Sequence, residues 1–249
     1  MLREFGLSDL LILIVVDNNY ESPKSNSKLV KPKNMHSELT GRIPPWPLIG
    51  FTLLYLLAAL VGVFALGNKE FLIYIGVMVV LIALAIGLDR YVGLTNGLLW
   101  CLSLWGLMHM AGGLVPVPES WPIDGDKRVL YSWWLIPGRL KYDQLVHAYG
   151  FACATWGAWQ CLQAGIASRA GVARSAVKPA FGFLTLCAIA GMGFGALNEV
   201  IEFVATLTVP ETNVGGYVNT GWDLVSNMIG SITAAVLIWW WGREEGKAD

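Results

Sequence analysis

Apolar residues fall into six long runs separated by short polar segments. Each run is close to the ~20 residues that a helix needs to cross the hydrocarbon core of a bilayer. The pattern predicts an all-α membrane protein, a six-helix transmembrane bundle. The predicted spans are residues 47–67, 70–88, 95–115, 142–163, 179–208 and 220–241. Trp46 and the tryptophans at 239–241 lie at span ends, where aromatic side chains meet the membrane interface.

The fourth and sixth spans begin with the same pattern of polar and small residues. In each, Asp follows an aromatic residue, and His or Asn, then Gly, then Ala come after it. At about 100° per residue these positions lie within roughly 60° of one another on a helix, so each set forms one stripe. The two stripes are Asp143, His147, Gly150 and Ala154, and Asp223, Asn227, Gly230 and Ala234. In the fifth span, Gly191, Gly195, Glu199 and Glu202 share a face by the same geometry.

The distribution of Lys and Arg predicts the orientation, because cytoplasmic segments are enriched in these residues. One side of the predicted bundle carries Arg3, Lys24, Lys28, Lys31, Lys33, Arg42, Arg90, Arg169, Arg174, Lys178, Arg243 and Lys247. The other side carries only Lys69, Lys127, Arg128, Arg139 and Lys141. Both termini are therefore predicted to be cytoplasmic, although the difference shrinks if the chain starts at Met35.

This topology places the polar groups of four spans at one depth near the extracytoplasmic face. They are Asp143, His147, Glu199, Glu202, Asp223, Asn227 and His109, the last about six residues, or roughly 9 Å, from the outer end of the third span. The loop over 116–141 is the longest on that side, and it is predicted to lie along the membrane surface. Its Asp124-Gly125-Asp126 is predicted to be a solvated turn, since a calcium loop needs more oxygen ligands.

Composition supports membrane insertion and excludes other classes. The chain is 55% hydrophobic and 14% charged, whereas a soluble domain carries about 25% charged residues. The four cysteines lie in apolar runs without CxxC spacing, which argues against a zinc or disulfide framework. There is no basic patch interleaved with aromatics, so no nucleic-acid partner is expected. The expected partners are membrane lipids.

The two ends of the chain are predicted to lie outside the transmembrane domain. Residues 1–46 are mostly polar, and their short apolar segment, 10–16, cannot cross a bilayer. We interpret this segment as a disordered tail, with a start at Met35 as the alternative. Residues 242–249 are predicted to form a short cytoplasmic tail.

Charge balance indicates what the polar cluster does. Four ionised carboxylates in a low-dielectric site cannot stand unpaired, and no Lys or Arg falls within these helix interiors. Arg139 and Lys141 are expected only at the rim. The site must therefore take protons, open to water or bind a cation, and oxygen ligands with one or two histidines suit a divalent ion such as Zn, Mn, Fe or Mg. The predicted ligands are Asp143, His147, Glu199, Glu202, Asp223 and His109.

Structural explanations remain open for the same residues. Polar groups inside helical membrane proteins can simply pair and hold helices together. Asp143 and Asp223, near helix starts, are candidates for N-terminal caps. The Gly191/Gly195 pair has the spacing of a helix-packing contact, and His109 alone is typical of a core histidine with satisfied hydrogen bonds.

Three motifs in order resemble a known family. Arg139-x2-Tyr142-Asp143-x3-His147-x2-Gly150-Phe151, Glu199-x2-Glu202-Phe203 and Asp223-x3-Asn227 resemble the YjdF-like family of uncharacterised inner-membrane proteins. The same Asp-x3-His, acidic-pair and Asp-x3-Asn skeleton is similar to that of VanZ-like membrane proteins. The resemblance covers about residues 95–241, with Gln144 where a basic residue is expected and Phe203 where Trp is usual. It implies a multi-pass protein of the bacterial inner membrane with a shared polar cluster, and it implies no reaction.

The function predicted from these residues is metal-assisted hydrolysis or transfer on a lipid or lipid-linked substrate. A metal-bound water would be the nucleophile, and Glu199 or Glu202 the catalytic base. One alternative is a proton- or ion-coupled transporter, which the repeated stripe favours, whereas the shallow site and the lack of matching polar residues in the cytoplasmic halves argue against it. The other is a structural or accessory membrane subunit.

Overall fold

The computed structural model describes residues 44–67, 70–208, 212 and 214–245. All of them belong to one compact unit, Asn34–Asp249. Most of the predicted polar tail of residues 1–46, the alternative start at Met35, and residues 246–249 lie outside the described residues.

Six long helices make up most of the described chain. They are α1 (Trp46–Leu66), α2 (Glu70–Val92), α3 (Asn96–Leu114), α4 (Tyr142–Ala170), α5 (Phe181–Thr208) and α6 (Tyr217–Glu245). The six predicted helices are thus confirmed, with shifts at their ends. α2 and α4 run four and seven residues past the predicted limits, because each helix continues until a glycine with positive φ, Gly93 or Gly171, ends it.

Five of the helices are long and apolar enough to cross a membrane. They are Trp46–Ala65, Phe71–Val92, Asn96–Leu114, Phe181–Thr208 and Tyr217–Gly242. α4 is less apolar because it lies among α3, α5 and α6 and pairs its polar residues with theirs. Gln160, for example, accepts a hydrogen bond from the backbone N–H of Thr95 and donates one to its hydroxyl, both at 2.9 Å. The membrane crossing of α4 and the cytoplasmic location of the termini stay predictions.

The loop between α3 and α4 is folded. It contains a 3-10 helix (Leu130–Ser132) and a hairpin of β1 (Trp134–Ile136) and β2 (Leu140–Lys141), which pair antiparallel. Trp121 stacks on Trp133 with ring centroids 4.3 Å apart. The hairpin leads directly into α4, and so it fixes where the first polar stripe begins.

The helices form two packed groups joined through α3. α1, α2 and α3 share a core that includes Tyr55, Val63, Phe71, Tyr74 and Met110. α4, α5 and α6 pack against one another, and the contact between α4 and α6 is the most extensive pair in the described chain. The ends of α3 and α5 and the starts of α4 and α6 therefore meet at one end of the bundle.

Candidate functional site

The start of α4 presents Asp143 to the bundle. The side chain of Gln144 caps this helix, because its Oε1 accepts a hydrogen bond from the backbone N–H of Lys141 at 3.0 Å. Asp143 is therefore free of the capping role considered from sequence. His147 follows one helical turn later, and its side chain is buried. The predicted stripe thus points these two residues into one site.

His147 is the centre of the site. Its Nδ1 lies 3.0 Å from Oδ1 of Asn227. Because the amide oxygen can only accept, Nδ1 carries a proton, and in the neutral imidazole the lone pair is therefore on Nε2. Nε2 lies 3.6 Å from Oδ1 of Asp143 and 3.9 Å from Oε1 of Glu202, while Nδ1 lies 3.5 Å from Oε1 of Glu199. One imidazole therefore connects α4, α5 and α6.

These separations are longer than hydrogen bonds, which span about 2.7–3.2 Å between heavy atoms. Two ligands that each sit about 2.0–2.2 Å from a zinc-like ion lie roughly 3–3.5 Å apart at ordinary coordination angles. The ligand atoms form two groups, Asp143, His147 and Asp223, and His147, Glu199 and Glu202, and within each group all atoms lie within 4.8 Å of one another. By geometry, each group could therefore hold a metal ion.

Buried polar atoms in this cluster lack hydrogen-bond partners. Within the described chain they are Oδ1 of Asp223, Oε1 of Glu199 and Nδ2 of Asn227. The Asp223 side chain is fully buried, and Asn227 is 1% exposed. An unpaired buried polar atom is costly, so each such oxygen is a candidate ligand atom.

Lys141 differs from its predicted position at the rim. The residue is only 7% exposed, and its Nζ donates to Oδ1 of Asn219 and lies 3.4 Å from Oδ2 of Asp124. The amide of Asn219 in turn donates to Oδ2 of Asp223 at 2.5 Å and to Oδ2 of Asp143 at 3.3 Å. The hairpin causes this difference, because it turns β2 inward immediately before α4.

Asn219 is a site residue that sequence reasoning missed. It precedes Asp223 by four residues, so the stripe of α6 extends one turn further back than Asp223. The four-residue spacing could have identified Asn219 from the sequence. Nothing in the sequence predicts the contact between Lys141 and Asn219. We call the eight residues Lys141, Asp143, His147, Glu199, Glu202, Asn219, Asp223 and Asn227 the acidic cluster.

One buried lysine does not balance the acidic cluster. If its four carboxylates are ionised, Lys141 and a protonated His147 together leave excess negative charge. Such a charge in a low-dielectric site requires protons or a bound cation. The excess negative charge predicted from the sequence therefore remains after Lys141 is included, but it is smaller.

The acidic cluster opens on one side to a cavity of about 1160 Å³. The side chains of Asp143 and Glu202 are 17% and 16% exposed, so they form the accessible edge of the cluster. The cavity lies under the loop of residues 116–141, and Trp134, Trp222 and Tyr217 are among its lining residues. Of the four carboxylates in the acidic cluster, Asp143 lines this cavity.

His109 is not brought into either ligand group. Its Nδ1 lies 2.5 Å from the hydroxyl of Tyr131, which lies in the folded loop. Burial, and then the negative charges of Asp143 and Glu202, hold the pKa of Tyr131 well above its usual value. The phenol therefore keeps its proton and donates to Nδ1, which leaves the proton of a neutral His109 on Nε2.

The glycines of α5 allow α6 to approach. A Cβ on Gly195 would lie 2.5 Å from Nδ2 of Asn227, and one on Gly191 would lie 2.6 Å from Oγ of Ser231. Both positions therefore need glycine for packing. The same packing sets the depth at which Asn227 meets His147.

Replacing Lys141 by methionine tests the network around Asn219. We expect the protein to lose about 1–3 kcal/mol of unfolding free energy, because the amide oxygen of Asn219 loses its donor. Arg139→Met in the same hairpin is the control: this side chain is exposed, and a change within about 0.5 kcal/mol is expected. Unfolding by denaturing detergent in mixed micelles measures both. Equal effects would contradict a buried role for Lys141.

Comparison with known families shows which family this chain belongs to. The model of the family described as "Predicted membrane protein (DUF2238)" matches residues 47–244, which include all of the acidic cluster. Nothing matches among curated proteins or among solved structures. DUF2238 is the YjdF-like family, so that predicted resemblance is confirmed, and the similarity to VanZ-like proteins stays a prediction. The chain belongs to the DUF2238 family of membrane proteins.

Proposed function

We propose that this family member binds a divalent metal ion in the acidic cluster and uses it to hydrolyse or transfer a group on a lipid or lipid-linked substrate. The observation that supports metal binding is the spacing around His147. Its nitrogens lie 3.5–3.9 Å from carboxylate oxygens of Asp143 on the same helix and of Glu199 and Glu202 on α5. Buried oxygens without partners on Glu199 and Asp223 add two candidate ligand atoms.

The residues divide into ligands and positioning groups. Nε2 of His147 lies near the carboxylates of Asp143 and Glu202, and its Nδ1 lies near that of Glu199. Asp223 belongs to the ligand group of Asp143 and His147. Asn227 orients the imidazole by accepting from Nδ1, as hydrogen-bond acceptors beside metal-bound histidines do. Asn219 and Lys141 hold the carboxylates of Asp143 and Asp223 in place. A mixed set of oxygen and imidazole ligands suits Zn, Mn, Fe or Mg.

The chemistry follows from this arrangement. A bound divalent ion would polarise a carbonyl or phosphoryl oxygen and activate water. Glu199 or Glu202 would act as the catalytic base, and Glu202 is the more exposed of the two. Asn198 donates to Oε1 of Glu202 at 2.9 Å and so fixes its orientation. A base held in this way would take a proton from a group bound within the acidic cluster.

The substrate class follows from where the cavity lies. Its lining includes Tyr217, Val218 and Trp222, which are 93%, 72% and 55% exposed at the start of α6. Exposed aromatic and apolar side chains at a helix end are typical of the membrane interface. A molecule with a polar headgroup on a hydrocarbon anchor would place the headgroup in the cavity and keep the anchor in the membrane.

Metal content in the purified protein tests the proposal. We expect the wild type to retain a divalent metal in stoichiometric amount, and Glu199→Ala/Asp223→Ala to lose it. Elemental mass spectrometry measures both. Glu119→Ala/Asp126→Ala removes two exposed loop carboxylates and should leave the metal in place.

Each outcome separates the candidate functions. A metal-free wild type that is fully stable contradicts the metal site and leaves the proton- or ion-coupled transporter and the structural subunit. Stoichiometric metal that is lost only in the cluster variant contradicts a purely structural role.

A further inference from the structure

A second cavity lies among α1, α2 and α3, at the opposite end of the bundle from the acidic cluster. Its volume is about 340 Å³, within the ~300–1,000 Å³ range of ligand sites. Its lining residues come from the first half of α1, the second half of α2 and the first half of α3. We call it the apolar groove, and the residues that matter below are Thr52, Leu53, Leu81, Ala85, Ile86 and Ser103.

The groove exists because α2 contacts its neighbours at two separate places. Near its start, Phe71, Tyr74 and Met78 pack with α1 and α3. At its last residue, Val92 packs in a second cluster with Leu48 and Leu98. Between these contacts, Leu81, Ala85 and Ile86 of α2 line an opening that is bounded at both ends.

The interior of the groove suits hydrocarbon. The hydroxyls of Thr52 and Ser103 lie 2.6 Å apart and satisfy each other. Most of the other lining residues are aliphatic, and an empty space would forfeit dispersion contacts with them. Leu53 and Leu81 line the groove and are 54% and 38% exposed, so it opens on the lipid-facing surface. A lipid chain is the hydrocarbon that this surface meets.

Charged residues lie at one end of the groove, where two arginines outnumber one buried carboxylate. Asp89 lines this end, and its Oδ1 accepts a hydrogen bond from the backbone N–H of Leu94 at 2.8 Å. Arg90 is exposed on α2, one helical turn beyond Ile86 in the groove lining. Arg174 lies at the same end, where its Nη1 donates to the carbonyl of Gly93 at 2.9 Å. Basic residues between helices at a membrane face bind anionic lipid headgroups.

We propose that the apolar groove binds one acyl chain of an anionic phospholipid, whose phosphate lies beside Arg90 and Arg174. The chain follows α2 from the level of Asp89 towards Met78, which are the groove residues nearest its two ends. This site is separate from the acidic cluster and does not depend on the metal site.

Photolabelling of the full chain in nanodiscs tests the site. The probe is phosphatidylglycerol with a diazirine on its acyl chain, and labelled peptides are located by mass spectrometry. We expect labels on the groove residues of α1, α2 and α3, and at least fivefold loss in Ala85→Trp, which fills the groove. Leu84→Trp is the matched control, because Leu84 is 63% exposed on the same helix, and its labelling should match the wild type.

A second pair of probes tests the preference for an anionic headgroup. A phosphatidylcholine probe with the same diazirine should label the wild-type groove several-fold less, and Arg90→Gln should remove that difference. Unlabelled phosphatidylglycerol should reduce labelling of the wild-type groove by competition, and this measurement requires no variant. Labels spread evenly over exposed apolar residues, unaffected by competitor, would overturn the site. Equal labelling by both lipids in the wild type would overturn the anionic headgroup.

Discussion

Replacing His147 by alanine is expected to abolish stabilisation of the protein by divalent metal. His147 is the residue that both ligand groups share, so its loss breaks both at once. For the wild type, metal at about 100 times its dissociation constant should add roughly 2.7 kcal/mol to the free energy of unfolding. For His147→Ala that gain should fall to near zero. Thermal unfolding of apo protein with and without added Zn²⁺ or Mn²⁺ measures the difference.

His109→Ala is the control for this experiment. Its Nδ1 accepts from Tyr131, and the structure does not bring it into the ligand groups. The variant should lose stability from its own core contacts, yet keep the full increment on metal addition. If His109→Ala loses the increment and His147→Ala keeps it, the ligand assignment is wrong. If the wild type gains nothing from any divalent ion, the metal proposal itself fails.

Sequence periodicity predicted the helices and the convergence of most site residues. The predicted stripes point Asp143, His147, Asp223 and Asn227 inward, and His147 does pair with Asn227. This worked because helix geometry alone decides which side chains share a face, and alternating spans decide which ends meet. A polar residue in an apolar span almost always faces the bundle interior or a water-filled cavity, because exposure to lipid is costly.

The path of the loop could not be predicted in the same way. Lys141 was expected at the rim, because a polar residue beside a span is ordinarily solvated. Its burial depends on the β1–β2 turn, with Gly138 at φ 68°, and on Asn219 across the site. Those contacts join residues far apart in sequence through irregular backbone, which has no periodicity to interpret.

The composition of α4 also made its central place in the bundle difficult to predict. A helix enclosed by other parts of the chain can carry Gln160 and Gln163, because Gln160 bonds to Thr95 and Gln163 donates to the carbonyl of Val177. Hydropathy measures suitability for lipid, and α4 mostly contacts protein. The least apolar helix is therefore the central one, and it carries the residue at the centre of the acidic cluster.

Gly230→Ala is expected to weaken the contact between α4 and α6 on which the acidic cluster depends. A Cβ at this position would lie 2.7 Å and 2.9 Å from the backbone C and Cα of Ala148. Backbone atoms inside a helix cannot rotate away, so the two helices must separate. Overpacking of this kind costs about 1–3 kcal/mol or more. Detergent-driven unfolding measures the loss, and metal retention should fall with it, because Asn227 lies one turn from Gly230.

The matched control separates packing from helix propensity. Gly193 is also inside a helix, and a Cβ there would meet nothing within 4 Å. Gly193→Ala should therefore be neutral or gain up to ~1 kcal/mol from the better helix propensity of alanine. The two substitutions are chemically identical, so opposite signs can come only from the space around each Cβ. If Gly230→Ala stabilised the protein as well, α4 and α6 would not pack as closely as the structure shows. The hydrogen bond between His147 and Asn227, which depends on that packing, would then be wrong too.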